Sequence, residues 1–143
     1  MSVVSSEFAD WLVRYGLTEV FTTVSGDAFY VNKDKRYAVI KRKNQQGVYS
    51  FYLDDVLEFR TYDDEKLIAE WNRTTSWHVM ERPKGFSTNE VKMRIFLKDS
   101  HMVDLQIFKG LRSNISRDSA DHVRLFNYAC HISQVVYKHI LDV

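Results

Sequence analysis

The chain has 143 residues, of which 45% are hydrophobic and 27% charged, proportions typical of one folded domain. Three Trp, eight Tyr and nine Phe supply enough apolar bulk for a core and exclude intrinsic disorder, and the single Cys130 excludes an intrachain disulfide. Twenty basic and nineteen acidic side chains leave a net charge of +1, so no global field points to nucleic acid.

The first residues, Met1–Glu7, contain neither the basic segment nor the apolar run of a secretory signal. No stretch approaches the roughly 18 apolar residues that a membrane-spanning helix needs. We therefore expect a cytoplasmic protein with no membrane span.

A short helix is predicted over residues 5–16. Ser5 or Ser6 can cap its start, and Gly16 stands where a left-handed helix end belongs. Its apolar residues recur at the spacing that places them on one helical face, namely Phe8, Trp11, Leu12 and Tyr15.

Between residues 18 and 108 the sequence is typical of antiparallel strands. Turns are predicted at 25–28 and 44–47, and the only proline lies in the longest predicted loop, Glu81–Glu90. Alternating apolar residues predict a hairpin of Val91–Leu97 and Val103–Ile107 around the turn Lys98–His101. The other extended segments are Thr18–Val24, Ala28–Val31, Arg36–Arg42, Val48–Leu53, Leu57–Tyr62, Leu67–Trp71 and Ser76–Met80.

A helical period returns over residues 119–140, where Ser116 or Ser119 can cap the helix. Its apolar stripe comprises Leu125, Phe126, Ala129, Ile132, Val136 and Ile140. A helix with one apolar stripe must lie on a partner, and only the sheet is large enough. Residues 1–143 are therefore predicted to form a single α+β domain. Its core is a bent antiparallel sheet, or partly open barrel, of about seven strands capped by this helix.

This order of elements resembles the pleckstrin-homology-like domain. The segment Tyr49–Phe59 resembles the "strand, Asp-Asp-hydrophobic, strand" passage of small bacterial proteins of that class. Val91–Phe108 followed by Ser116–Ile140 resembles their last hairpin and capping helix. The resemblance covers roughly residues 18 to 141 and implies a scaffold that binds proteins or lipid headgroups.

Enzyme motifs are absent from the sequence, which has no G-x-S-x-G and no glycine-rich phosphate loop. Cys130 and His131 are adjacent, and neighbours on a helix point about 100° apart, so they form no catalytic pair. His122, His131 and His139 lack the i, i+4 spacing of a helical metal site. We expect no catalytic residue, metal or cofactor. The alternative is an enzyme whose His/Asp site assembles only in three dimensions.

Two acidic clusters, Asp54–Asp55 and Asp63–Glu65, lie at predicted strand ends. Aspartate commonly forms turns there, and this is the favoured interpretation for both clusters. For Asp63–Glu65 an exposed acidic tip that docks a basic partner stays open.

A basic hairpin is formed by Lys33, Lys35, Arg36, Lys41, Arg42 and Lys43. A solvated hairpin that aids solubility is the favoured interpretation. The alternative function is binding of an anionic lipid headgroup or nucleic acid through these residues.

The favoured function is a non-catalytic binding or adaptor domain that acts through protein–protein contact, with another protein or a second copy as partner. The interface is predicted at Tyr62–Trp77, with Trp71 and Trp77 as anchors beside Tyr62. The alternative is that both tryptophans fill the core beside Trp11. Crowded aromatic residues on consecutive strands cannot all be buried, so exposure is expected for Tyr30, Tyr52 or Tyr62 unless the N-terminal helix covers them.

Overall fold

The computed structural model describes residues 6–43, 45, 47–110 and 114–142. Helix α1 spans Ser6–Arg14, helix α2 spans Ala120–Leu141, and a short 3-10 helix covers Leu53–Asp55. The expected cap Ser5 and the turn residues Asn44 and Gln46 lie outside the described residues.

The strands form two large antiparallel sheets and one small pair. The first sheet has the order β1-β2-β3-β4, the second has the order β10-β9-β5-β6-β7, and β8 pairs with β11. The bounds are β1 Thr18–Thr22, β2 Ala28–Asn32, β3 Tyr37–Lys41, β4 Val48–Tyr52, β5 Val56–Asp63, β6 Lys66–Asn72, β7 Ser76–Val79, β8 Ser87–Thr88, β9 Glu90–Leu97, β10 Met102–Lys109 and β11 Ile115–Ser116.

The predicted α+β class with antiparallel pairing is confirmed, but the expected number of strands is wrong. The described residues contain eleven strands, and the sheets do not close into a barrel. Two of the extra strands, β8 and β11, are two residues long, so they carry no alternation that a sequence pattern can reveal.

Helix α2 closes the core between the two sheets. Ser119 caps the helix, since its Oγ accepts a hydrogen bond from the His122 backbone N–H at 3.2 Å. Phe126 packs against the core as predicted and is half-buried at the edge of the apolar stripe. The stripe that is fully buried comprises Leu125, Ala129, Ile132, Val136 and Ile140.

Helix α1 covers the other face of the first sheet. Gly16 has a φ of 64° and ends the helix as expected, because this left-handed conformation suits a residue without a Cβ. Phe8 and Trp11 pack against Tyr30, which is buried because the N-terminal helix covers it, one of the two predicted alternatives. Of the other two tyrosines expected at the surface, Tyr52 is exposed and Tyr62 is half-buried.

Candidate functional site

A buried network of hydrogen-bonded polar side chains joins β5 to helix α2. Asp63, at the end of β5, lies with its Oδ2 2.6 Å from His122 Nε2. Its Oδ1 accepts hydrogen bonds from Thr88 Oγ1 at 2.6 Å and from Arg117 Nη2 at 3.0 Å. All four residues are buried, so the carboxylate is fully satisfied away from solvent.

The second ring nitrogen of His122 faces an arginine. Arg82 Nη1 lies 2.9 Å from His122 Nδ1 and also donates to the Arg117 carbonyl oxygen at 2.6 Å. An arginine only donates, so Nδ1 accepts, and Nε2 carries the hydrogen that Asp63 accepts. Asp63 therefore accepts the Nε2–H of His122 and holds the imidazole ring in one orientation.

The pair is shielded from solvent, because the His122 side chain is fully enclosed and that of Asp63 is only 2% exposed. The network connects β5, β8, the segment after β11 and helix α2. The turn favoured for Asp63–Glu65 is confirmed at Asp64 and Glu65. The acidic tip that was left open excludes Asp63, which points into the protein and pairs with Arg117.

Two other histidines meet carboxylates, each at the surface and each alone. His78 Nε2 lies 2.9 Å from Glu70, and His101 Nδ1 lies 2.7 Å from Asp99. Within the described ranges, no three His, Cys, Asp or Glu side chains are grouped to hold a metal ion. Burial raises the pKa of the Cys130 thiol to about 11, which disfavours the thiolate that a nucleophile needs.

The six basic residues do not form one surface. Lys33, Lys35 and Arg36 precede β3, whereas Lys41, Arg42 and Lys43 lie at its other end, and five residues of strand span about 17 Å. The expected crowding is therefore corrected to two separate groups.

One arginine in each group is already paired within the fold. Arg36 Nη2 lies 2.8 Å from Asp54, and Arg36 Nη1 donates to the carbonyl oxygen of His139 in the last turn of α2. Arg42 Nε lies 3.2 Å from the buried Asp27. Arg36 therefore binds the carboxyl-terminal end of α2, and Arg42 binds the turn between β1 and β2, so both arginines have a structural role.

The expected tryptophan anchors lie in or against the core. Trp71 is only 2% exposed and stacks on Phe59 at 6.1 Å, so the expectation that it contacts a partner is corrected. Trp77 is half-buried and stacks on Tyr137 of α2 at 5.5 Å. The predicted edge is wrong for Trp71, because β6 lies between β5 and β7, whereas Trp77 lies on β7, the end strand of the sheet. Both tryptophans belong to or pack against the core, as the alternative interpretation predicts.

Four strands end the two large sheets, and an exposed sheet edge recruits other strands unless it is protected. The edge of β10 is covered by the β1–β2 turn. Gln106 donates its backbone N–H to Asp27 Oδ2 at 2.8 Å, and its carbonyl oxygen accepts from Thr23 Oγ1 at 2.7 Å. The N–H and C=O groups that Gln106 would offer to a new strand are thus used.

The edges of β1 and β7 are also protected against pairing with another chain. Strand β1 has a register irregularity between Glu19 and Phe21 and presents an exposed acidic side chain. Strand β7 has only four residues, and its His78 Nε2 lies 2.9 Å from Glu70 of β6. Bulges, charges and short length each discourage pairing with another chain.

The edge of β4 has none of these protections. Its sequence, Val48–Tyr52, has no charge and no proline, and its pairing with β3 is continuous. Four of its five residues are aromatic or β-branched and have high strand propensity. Among the described residues, no strand pairs with its outer side.

The register shows which backbone groups face outward. Leu53 donates its N–H to the Arg36 carbonyl oxygen at 2.8 Å, so Leu53 and Arg36 face each other as a hydrogen-bonded pair. Hydrogen-bonded and non-hydrogen-bonded pairs alternate along an antiparallel ladder. The N–H and C=O groups of Val48, Ser50 and Tyr52 therefore point away from β3, and we call this outer side the β4 edge.

Exposed aromatic side chains and a cleft accompany the β4 edge. Tyr49 is 40% exposed and Tyr52 is 54% exposed, and Tyr52 packs against Tyr37 with 5.3 Å between ring centroids. A cleft of about 460 Å³ lies between the strand and the β9–β10 turn. Its lining residues are Tyr37, Ser50, Phe51, Tyr52, Asp55, Leu97, Lys98 and Asp99.

Comparison with family models, with curated proteins and with solved structures finds no match to this chain. Within the described residues, neither helix is long and apolar enough to cross a membrane. The geometry of the chain itself is therefore the basis for the functional proposal.

Proposed function

We propose that this chain is a non-catalytic protein-binding domain that takes up an extended strand at the β4 edge. The observation that carries the proposal is the contrast between this edge and the other three. The edges of β1, β7 and β10 are bulged, charged, short or covered, whereas β4 is neutral, continuous and open.

Strand addition would use two features of the site. The outward N–H and C=O groups of Val48, Ser50 and Tyr52 supply main-chain hydrogen bonds, and these give affinity without regard to sequence. The exposed ring of Tyr52 and the adjacent cleft supply contacts for alternate side chains of the added strand. Tyrosine is among the side chains enriched at protein interfaces.

The non-catalytic character and the pleckstrin-homology-like resemblance belong to the same proposal. The enclosed Asp63–His122 pair supports a structural rather than a chemical role for the one buried histidine–carboxylate contact among the described residues. Antiparallel sheets closed by a C-terminal helix support the resemblance. The single cysteine is compatible with the proposed cytoplasmic location.

The test uses a displayed library of extended peptides selected against the purified domain. We expect enriched peptides to bind the parent and to lose at least tenfold in affinity for Ser50→Pro, since proline removes an outward N–H donor. The matched control is Val79→Pro, because Val79 also lies on a sheet edge and has its N–H directed outward.

The same experiment can overturn the proposal. An absence of enriched peptides would contradict it, and so would peptides that bind Ser50→Pro as tightly as they bind the parent. Circular dichroism and a urea unfolding curve for both proline variants ensure that a loss of binding does not reflect a loss of fold.

A further inference from the structure

We propose that the strand taken up at the β4 edge is β4 of a second copy of this chain, paired antiparallel about Ser50. This inference rests on the proposed function and names the partner of the same site. Closed two-fold dimers are the commonest homo-oligomers, and their interfaces must be self-complementary. The β4 edge meets that requirement in its register and its side chains.

The register selects one pairing. An outward-facing residue can exchange hydrogen bonds only with an outward-facing residue of the other strand. Centring the pair on Ser50 matches Ser50 with Ser50 of the partner subunit, and Val48 with Tyr52 of the partner subunit. All three outward residues are then used, with about six hydrogen bonds between the strands. Centring on Tyr49 or on Phe51 leaves one outward residue of each copy unpaired.

The side chains are compatible with this pairing. Directly opposed residues share one face of the combined sheet, so the exposed ring of Tyr52 lies beside Val48 of the partner subunit. An aromatic ring beside a β-branched residue is a stabilising cross-strand pair. No charged side chain of β4 faces a like charge, because the strand has none.

The antiparallel direction continues that of the first sheet, whose strand pairs are all antiparallel. A parallel pair would be slightly less stable per residue.

Cysteine cross-linking tests the register. In the proposed pair the two Ser50 Cα atoms lie about 5.5 Å apart, within the range that a disulfide spans. Ser50→Cys is therefore expected to form a covalent dimer under mild oxidation. The matched control is Tyr52→Cys on the same edge. The Cα atoms of its two cysteines would lie about 13 Å apart, so they should not cross-link. The parent, whose single cysteine is Cys130, shows how much covalent dimer forms without the introduced cysteine.

Light scattering of the uncross-linked proteins tests the assembly. We expect the parent to be a dimer and Ser50→Lys to be a monomer, because two ammonium groups would face each other across the axis. A monomeric parent at high concentration would overturn the inference, and so would equal cross-linking of Ser50→Cys and Tyr52→Cys.

The two proposals fail in distinguishable ways. A monomeric chain that still binds selected peptides at the β4 edge refutes only the second copy as the partner. A monomeric chain that binds no peptide refutes strand addition altogether.

Discussion

Replacing Asp63 by alanine measures how strongly the buried network holds β5 to helix α2. The substitution removes the acceptor of three side-chain contacts, those of Thr88, Arg117 and His122. The largest consequence concerns Arg117, since its side chain is only 6% exposed and would keep a buried charge without its main partner.

The magnitude follows from these contacts. Removing one partner of a buried ion pair costs about 3–5 kcal/mol. The carboxylate of Asp64 lies 3.7 Å from Arg117 Nη2 and compensates in part, so we expect the low end, about 3 kcal/mol. A domain stable by about 5–15 kcal/mol would lose a substantial fraction of its free energy of unfolding.

Urea unfolding followed by tryptophan fluorescence provides the measurement, with the slope of the transition checked against the parent. Asp63→Asn keeps the side-chain volume but removes the charge, and a loss close to that of Asp63→Ala is expected. Asp34→Ala, in an exposed turn, should change stability by no more than about 0.5 kcal/mol. A loss below about 1 kcal/mol for Asp63→Ala would refute the role assigned to the network.

Three further predictions concern helix α2 and its surroundings. Ile132→Ala should destabilise the domain by about 2–4 kcal/mol in urea because it leaves a cavity in the core, whereas Phe126→Ala should cost less than half of that. Cys130 should react with a thiol reagent at pH 8 far more slowly than a free thiol, since burial raises its pKa to about 11. The hydrogen bond from Arg36 lowers the pKa of Asp54, so the small stabilisation from this pair is present above about pH 4 and is lost as the pH falls through the lowered pKa. The stability difference between the parent and Asp54→Asn should shrink accordingly in acid.

Elements with a strong local period could be predicted from the sequence. The stripe of helix α2 from Leu125 to Ile140 and the hairpin of β9 and β10 both appear where the pattern places them. Each is encoded by residues close together in the chain, so the apolar spacing alone is informative. The pattern does not predict how deeply Phe126 is buried, because one helical step decides between the centre of a stripe and its edge.

Contacts between distant segments could not be predicted. His122 is buried only because Asp63, 59 residues earlier, receives its hydrogen bond. Trp71 was expected at an edge because the order of strands in a sheet is not a local property. The neutral sequence of β4 was visible from the start. The sequence could not show that the other three edges are protected, because that protection includes contacts between distant residues such as Asp27 and Gln106.

Residue-resolved hydrogen exchange within β4 tests the central claim most directly. In the isolated chain the amides of Ser50 and Tyr52 point outward, whereas those of Tyr49 and Phe51 bond to β3. We predict that Ser50 and Tyr52 exchange rapidly at low protein concentration and at least tenfold more slowly at high concentration, while Tyr49 and Phe51 stay protected throughout. Exchange at Ser50 and Tyr52 that is unaffected by concentration and by selected peptides would contradict the account.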